Sequence, residues 1–220
     1  MSTVVITGAS SGIGLELTKL FLQRGDEVYS VCRENTAELA ATKAHVISGI
    51  ELLKESSYAS LQQEMIGTSI DILVNNAGIF LNETLDNMPF EQMTQQFEVN
   101  ALSPMKVTQA LKDNLEKGSK VVMTTSRMGS ISDNTSGSYY GYRASKAALN
   151  AFTASLAIDL EDEGIAVGLI HPGFVITKMT GFRGEITPLE SAQGYIQRID
   201  ELCLKNSGGF WHVNGEKIPW

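Results

Sequence analysis

Tyr142 and Lys146 stand four residues apart at the start of an amphipathic stretch, a spacing that on a helix puts a phenol and an ammonium one turn apart on nearly the same face. A free phenol ionises near pH 10, too high for easy proton exchange at neutral pH, and a fixed positive charge beside it lowers that value. General acid–base catalysis is most effective when the pKa approaches the working pH, so the pair predicts an acid–base tyrosine tuned by a lysine. Tyr139 and Tyr140 precede Lys146 by seven and six residues and lack the one-turn relation. Upstream, Thr124-Thr125-Ser126 closes an apolar run that reads as a strand. Ser126 thereby offers a hydroxyl at a strand's C-terminal edge, where open α/β sheets bind ligands; Ser130 and Ser132 are rival hydroxyls. Asn100 lies four residues before Pro104. Proline has no N–H to bond the Asn100 carbonyl, so the sequence predicts a bend there, serving either packing alone or a water on that carbonyl that leads toward Lys146.

A second constellation suits phosphate. Thr7-Gly8-Ala9-Ser10-Ser11-Gly12-Ile13-Gly14 falls between a strand pattern and a helix pattern. Glycines allow close backbone approach, and the helix N-terminus supplies free N–H groups and partial positive charge. The spacing is Gly-x3-Gly-x-Gly, and by itself it fits a plain tight turn as well. After the second strand, where NAD-binding proteins place an acid for the ribose hydroxyls, the chain has Val31-Cys32-Arg33. A guanidinium binds a 2′-phosphate that an acid would repel, which favours NADP with NAD as the alternative. Arg33 can equally be a solvated loop residue, partly offset by Glu34.

Elements that could position these residues alternate along the chain. Strands are expected at 3–6, 27–31, 45–47, 70–75, 120–124, 166–170 and 209–213, and helices at 14–23, 57–65, 90–115, 142–160 and 189–204. Short β-branched runs separated by helices predict an α/β fold, a doubly wound and mostly parallel sheet of about seven strands in a single domain over 1–220. The loops around 129–141 and 172–187 are the longest, with Met128, Ile131, Phe174, Met179 and Phe182 as candidate pocket residues. The formal charge is −8, the pI about 4.9 and the mean hydropathy −0.03. That charge, without any basic block, argues against nucleic acid, and no apolar run approaches the roughly 18–20 residues of a membrane span. Cys32 and Cys203 lie far apart and suit a reducing compartment, so a cytoplasmic location is expected. His45, His171 and His212 have no ligand spacing, no metal is expected, and His171 reads as a strand-end residue satisfied by loop backbone.

Together these motifs resemble the short-chain dehydrogenase/reductase family over nearly the whole chain. Thr7 to Gly14 is similar to its TGxxxGxG turn, Asn75-Asn76-Ala77-Gly78 to its NNAG motif, and Tyr142 to Lys146 to its YxxxK signature. Ser126 with Gly129 matches Ser-x-x-Gly, Asn100 the helix asparagine, and Pro172-Gly173 with Thr177 the PG-x3-T segment. The resemblance implies reversible hydride transfer between nicotinamide and a small carbonyl or alcohol carbon. In that scheme Tyr142 is the acid–base, Ser126 orients the substrate oxygen, Lys146 binds the nicotinamide ribose and lowers the tyrosine pKa, and Asn100 anchors a water. It implies cofactor contacts from Gly8, Ser10, Ser11, Gly12, Ile13, Gly14, Arg33, Glu51, Leu52, Asn76, Ala77, Gly78, Tyr142, Lys146, Pro172, Gly173, Val175 and Thr177. The segments 126–130, 142–150 and 218–220 are most similar to C-factor-like and sniffer-like carbonyl reductases, so a cofactor-binding signalling protein with incidental turnover is the alternative. Helices beginning near Phe90 and Tyr142 would build a homodimer or homotetramer. Three departures stand out: Glu51 with Leu52-Leu53 beside the adenine, a longer interval from Ser126 to Tyr142, and a short segment after Thr177, which implies a small or open lid.

Overall fold

The computed structural model describes all residues, Met1–Trp220. Seven strands form one sheet: β1 Thr3–Thr7, β2 Glu27–Val31, β3 His45–Ile47, β4 Ile70–Asn75, β5 Leu115–Thr124, β6 Ala166–His171 and β7 Phe210–His212. Their order is β3-β2-β1-β4-β5-β6-β7, and every neighbouring pair is parallel. Alternate residues of each strand feed two apolar cores, one per face. Val4, Ile6, Ile72, Val74 and Val122 join the side packed by Leu17, Phe21 and Tyr195, whereas Val5, Leu73, Val121 and Met123 join the side packed by Tyr58, Leu61, Val107 and Leu149. Because both faces are covered, the central strands are apolar at nearly every position, as the sequence suggests.

Seven α-helices connect the strands: α1 Gly12–Arg24, α2 Ala37–Ala40, α3 Glu55–Glu64, α4 Phe90–Phe97, α5 Ser103–Ala110, α6 Tyr140–Asp159 and α7 Pro188–Glu201. The single turn α2 escapes periodicity because four residues cannot display it; the Thr36 hydroxyl caps it by accepting from the Leu39 N–H at 3.3 Å. The helix expected over 90–115 is divided. Residues Glu98–Leu102 form a π turn between α4 and α5, where the Ser103 N–H reaches back five residues to the Glu98 carbonyl. Pro104 sits in the first turn of α5, where its missing N–H is harmless. Leu115, expected to end the helix, begins β5 instead. Helix α1 ends at Gly25, which adopts φ +91°, and α7 opens on a capping box of Thr187 with Glu190 ahead of Pro188. No helix is long and apolar enough to cross a membrane.

Chain order reverses between β1 and β4. The loops leaving β1 and β4 therefore diverge and open a crevice at the strands' C-terminal edge, where this architecture binds its ligands.

Candidate active site

The glycine turn is built by close approach. Gly8, at φ +68°, lies so near the loop after β4 that a Cβ would stand 2.8 Å from the Ala77 Cα. At Gly14 a Cβ would stand 2.3 Å from the Gly8 carbonyl oxygen and 2.7 Å from Asn76 Nδ2. Asn76 joins the two loops, donating from Nδ2 to the Thr7 and Gly8 carbonyls at 3.1 and 3.3 Å. The Thr7 hydroxyl in return accepts from the Asn76 and Ala77 N–H groups at 3.0 and 3.1 Å. The result is a fixed backbone turn at the N-terminus of α1, a position where free N–H groups can receive an anion.

Tyr142 and Lys146 lie in the first two turns of α6 and both line the same cleft. Lys146 Nζ donates to the Thr124 carbonyl at 2.7 Å and stands 5.9 Å from the Tyr142 ring centroid. Phe80 packs its ring against Tyr142 at 4.9 Å and 81°, fixing the phenol's plane. Tyr195, buried on α7, donates to the Thr124 hydroxyl at 3.0 Å and steadies the strand end that holds the ammonium. The expected lowering of the phenol pKa is not what the protein's own groups produce. Burial pushes Tyr142 up to about 12, with the Ser126 hydroxyl pulling the other way, and burial pushes Lys146 down to about 7. Desolvation opposes both charged forms and outweighs the one-turn relation.

Those shifts give a pH dependence. Between pH 7 and the ordinary lysine value of 10.5 the unfolded chain binds the Lys146 proton and the folded chain does not, so stability rises with pH across that window. Tyr142 acts with the opposite sign, favouring the fold increasingly less as pH rises from 10 to about 12. Lys146→Met is therefore expected to flatten the climb between pH 7 and 10, by up to ~1.4 kcal/mol per pH unit, in urea unfolding at a series of pH values.

Asn100 enters through its side chain. From the π turn its Oδ1 accepts from the Ile79 N–H at 2.8 Å, and its Nδ2 donates to the Ile79 carbonyl at 2.9 Å and to the Ser145 hydroxyl at 3.1 Å. It thus ties the segment after Gly78 to α6. Gln96, one turn earlier, repeats the device by accepting from the Leu81 N–H at 2.8 Å and donating to the buried Glu83. Spacing of four between Gln96 and Asn100 was the available signal.

Ser126 caps the short turn Arg127–Gly129 by accepting from the Met128 N–H at 3.1 Å, which leaves its own hydrogen for another partner. Ser130 and Ser132 instead bond the Trp220 main-chain oxygen. His171 departs from expectation: its Nδ1 is buried without a partner, and burial holds the imidazole down to about 3. Its neighbour is the His212 ring at 5.0 Å rather than loop backbone.

A cleft of about 700 Å³ runs across the crevice. Of the expected cofactor residues, Gly8, Ser10, Ser11, Gly12, Ile13, Arg33, Glu51, Leu52, Asn76, Ala77, Gly78, Pro172 and Thr177 line it, as do Asn100, Tyr142 and Lys146. Gly14, Ser126, Gly173 and Val175 are not among its lining residues; Val175 is buried in a bridge to Ile186. Glu51 points to Lys54 at 2.8 Å, while the Leu52 carbonyl accepts from Tyr58 and Ser103 at 2.5 and 3.0 Å. Sequence reasoning missed Glu38, Thr124 and Lys178 on the walls. Lys178, next to Thr177, is the one whose charge offered a signal. Among the candidate pocket residues, Met179 and Phe182 line the mouth, and Ile131 and Phe174 are exposed outside it.

A family model described as short chain dehydrogenase matches residues 2–186. The chain belongs to the short-chain dehydrogenase family. Within the family it is 36% identical over 226 residues to a 1-hydroxy-2-glutathionyl-2-methyl-3-butene dehydrogenase of Rhodococcus sp. (strain AD45), covering both chains in full. It is 40% identical over 154 residues to the C-signal of Myxococcus xanthus, covering 69% of this chain and 93% of that one. Among solved members, the carbonyl reductase Sniffer of D. melanogaster superposes with a TM-score of 0.91 at 27% identity over the whole of both chains. An NADPH-bound carbonyl reductase from chicken fatty liver superposes with a TM-score of 0.87 at 27% identity, covering 100% of this chain and 99% of that one. The chain is thus an oxidoreductase of this family, with C-signal and Sniffer among its relatives.

Proposed function

We propose that this chain is an NADP-dependent carbonyl reductase acting in the cytoplasm on small carbonyl or alcohol substrates. One observation carries the reading. A single cleft is lined both by the glycine cradle with Arg33 and by two proton-carrying groups one helical turn apart, the half-buried Tyr142 and the buried Lys146. The cradle fits the cofactor because Gly8 and Gly14, where a Cβ would collide with Ala77, Asn76 and the turn's own backbone, let the turn pack tightly and leave the backbone of Ser10 to Ile13 on the cleft wall at the start of α1. Ser10 to Ile13 would hold that diphosphate at the start of α1, Arg33 the 2′-phosphate, and Lys146 a ribose. The NADPH-bound relative supports NADP as the cofactor.

When bound, the nicotinamide supplies the hydride for the carbonyl carbon. Ser126, whose hydroxyl faces the phenol, directs the carbonyl oxygen toward Tyr142. The phenol, protonated at neutral pH because burial holds it up, gives its proton to that oxygen and completes the alcohol. Lys146, whose amine burial holds down to about 7 and which stands 5.9 Å from the ring, would return a proton to the phenol. Asn100 and Gln96 keep the wall carrying Phe80 in place behind the ring. Ile176, Met179 and Phe182 give the mouth an apolar lining suited to apolar carbonyl compounds. Exposed apolar side chains on α4 and α6, among them Phe90 and Ile158, favour a homodimer or homotetramer.

Purified protein with NADPH and a panel of aldehydes, ketones and quinones is expected to oxidise the cofactor; inactivity across the panel would remove the reading. Arg33→Ser is expected to lower the NADPH-over-NADH preference in kcat/KM by about 10- to 100-fold, the worth of one charge-assisted contact. An unchanged preference would move 2′-phosphate recognition elsewhere on the lip.

A further inference from the structure

The loop between β5 and α6 carries Ser126 at its start and delivers Tyr142 at its end. It is tied down by the other end of the chain. After β7 the backbone turns at Gly215 and comes back antiparallel: the His212 N–H bonds the Glu216 carbonyl at 2.8 Å and the Ile218 N–H bonds the Phe210 carbonyl at 2.9 Å. Ile218 is buried, and the Trp220 ring packs on Phe210 with centroids 5.8 Å apart. This returning segment meets the Ser126 loop at several points. The Trp220 main-chain oxygen accepts from the Ser130 hydroxyl at 3.1 Å, the Ser132 hydroxyl at 2.6 Å and the Ser132 N–H at 3.0 Å. Arg127, directly after Ser126, pairs with Glu216 at 2.8 Å on the returning segment and with Asp133 at 3.5 Å across its own loop.

Three donors on one oxygen and an ion pair beside them are more than a loop needs for solubility, and they converge within six residues of Ser126. Loops over strand ends are otherwise the mobile part of such folds. Arg143 holds the far half of the same loop, bonding the Gly137 and Ser138 carbonyls at 3.3 and 3.1 Å and the Ser136 hydroxyl at 2.9 Å. The near half is held on one side by α6, through Arg143 at the Met128 carbonyl and Asn150 at the Gly129 carbonyl at 3.5 and 3.2 Å, and on the other by the returning segment at Arg127, Ser130 and Ser132.

We propose that residues 216–220 are a clasp that sets the position of Ser126 and of the loop wall beside Tyr142, which makes Arg127, Ser130 and Ser132 positioning residues for the substrate. The proposal rests on the reading of Ser126 and Tyr142 given above. Because the clasp grips the substrate loop and touches neither the glycine cradle nor Arg33, it acts on substrate geometry and leaves cofactor binding alone. A hydroxyl displaced by about an ångström loses much of its orienting effect in the transition state.

The test is Ser130→Ala/Ser132→Ala in the full chain, assayed with NADPH and two carbonyl compounds of different bulk well below the unfolding temperature. The expected result is a fall of about tenfold in kcat for the smaller compound, a shift of preference toward the bulkier one, and an unchanged dissociation constant for NADPH. Ser130→Thr/Ser132→Thr, which keeps both hydroxyls, is expected to retain parent kinetics. Parent kcat and parent size preference in the alanine pair would overturn the clasp, whatever its effect on Tm. If the alanine pair does not fold, Arg127→Gln carries the same expectation in smaller measure, with the same overturning result. Tyr142→Phe, run alongside, separates the two failures: full turnover in that variant defeats the acid–base reading and the clasp with it, whereas lost turnover there with parent kinetics in the serine variants defeats the clasp alone.

Discussion

Tyr142→Phe is expected to lower kcat by ~10²- to 10⁴-fold, the usual worth of a positioned general acid, while NADPH affinity measured by fluorescence titration is unchanged. The substitution keeps the ring, and so keeps the edge contact with Phe80 at 4.9 Å and the nearby Lys146 ammonium. Only the hydroxyl leaves, together with its interaction with Ser126. A lost neutral hydrogen bond of this kind costs about 1 kcal/mol of stability, too little to unfold the chain and mimic a catalytic defect. The parent enzyme should also hold its reducing activity through neutral pH as far as the phenol is concerned, because burial keeps that group protonated there. Turnover in the phenylalanine variant at the parent rate would assign the proton to another donor, with Lys146 the next group on the cleft wall.

Gly14→Val is expected to abolish NADPH binding and to lower stability at the upper end of, or beyond, the ~1–3 kcal/mol of ordinary overpacking. The added carbons have nowhere to go. Even the first one meets the Gly8 oxygen at 2.3 Å, Asn76 Nδ2 at 2.7 Å and the Ala9 Cα at 3.0 Å, and two of those three atoms are backbone. Relief requires moving α1 off β1, which breaks the Asn76 bonds to Thr7 and Gly8 and opens the phosphate cradle. Urea unfolding and cofactor titration on the same preparation decide it: a variant with parent affinity and parent midpoint would show that the corner is looser than this geometry allows. The effect is distinct from that of Tyr142→Phe, since one removes the cradle and the other the proton.

Much of this molecule is written in local pattern. Apolar strands at β1, β4, β5 and β6 follow from burial on both faces, and β-branched runs separated by helices leave a parallel sheet as the arrangement that covers them. The glycine turn and the placing of Tyr142 and Lys146 on one helix face are legible because they depend on neighbours a few residues away: a turn needs glycine where backbone crowds, and a helix puts residues four apart on one face. The π turn was half legible, since Pro104 announces a break in the helix but not how the preceding turn widens to aim the Asn100 side chain at Ile79.

What folding alone decided is electrostatic depth and long-range contact. Spacing predicts that Lys146 lowers the Tyr142 pKa, yet the burial of both groups, a property of the packed sheet and helices, drives the phenol up and the amine down. Ser126, Ser130 and Ser132 are equivalent hydroxyls in sequence. Only the return of the chain from β7, some 90 residues on, occupies the second and third and leaves the first facing Tyr142. Desolvation depends on everything packed around a group, and a contact across the chain depends on where two distant segments end up, so neither is contained in any local window of residues.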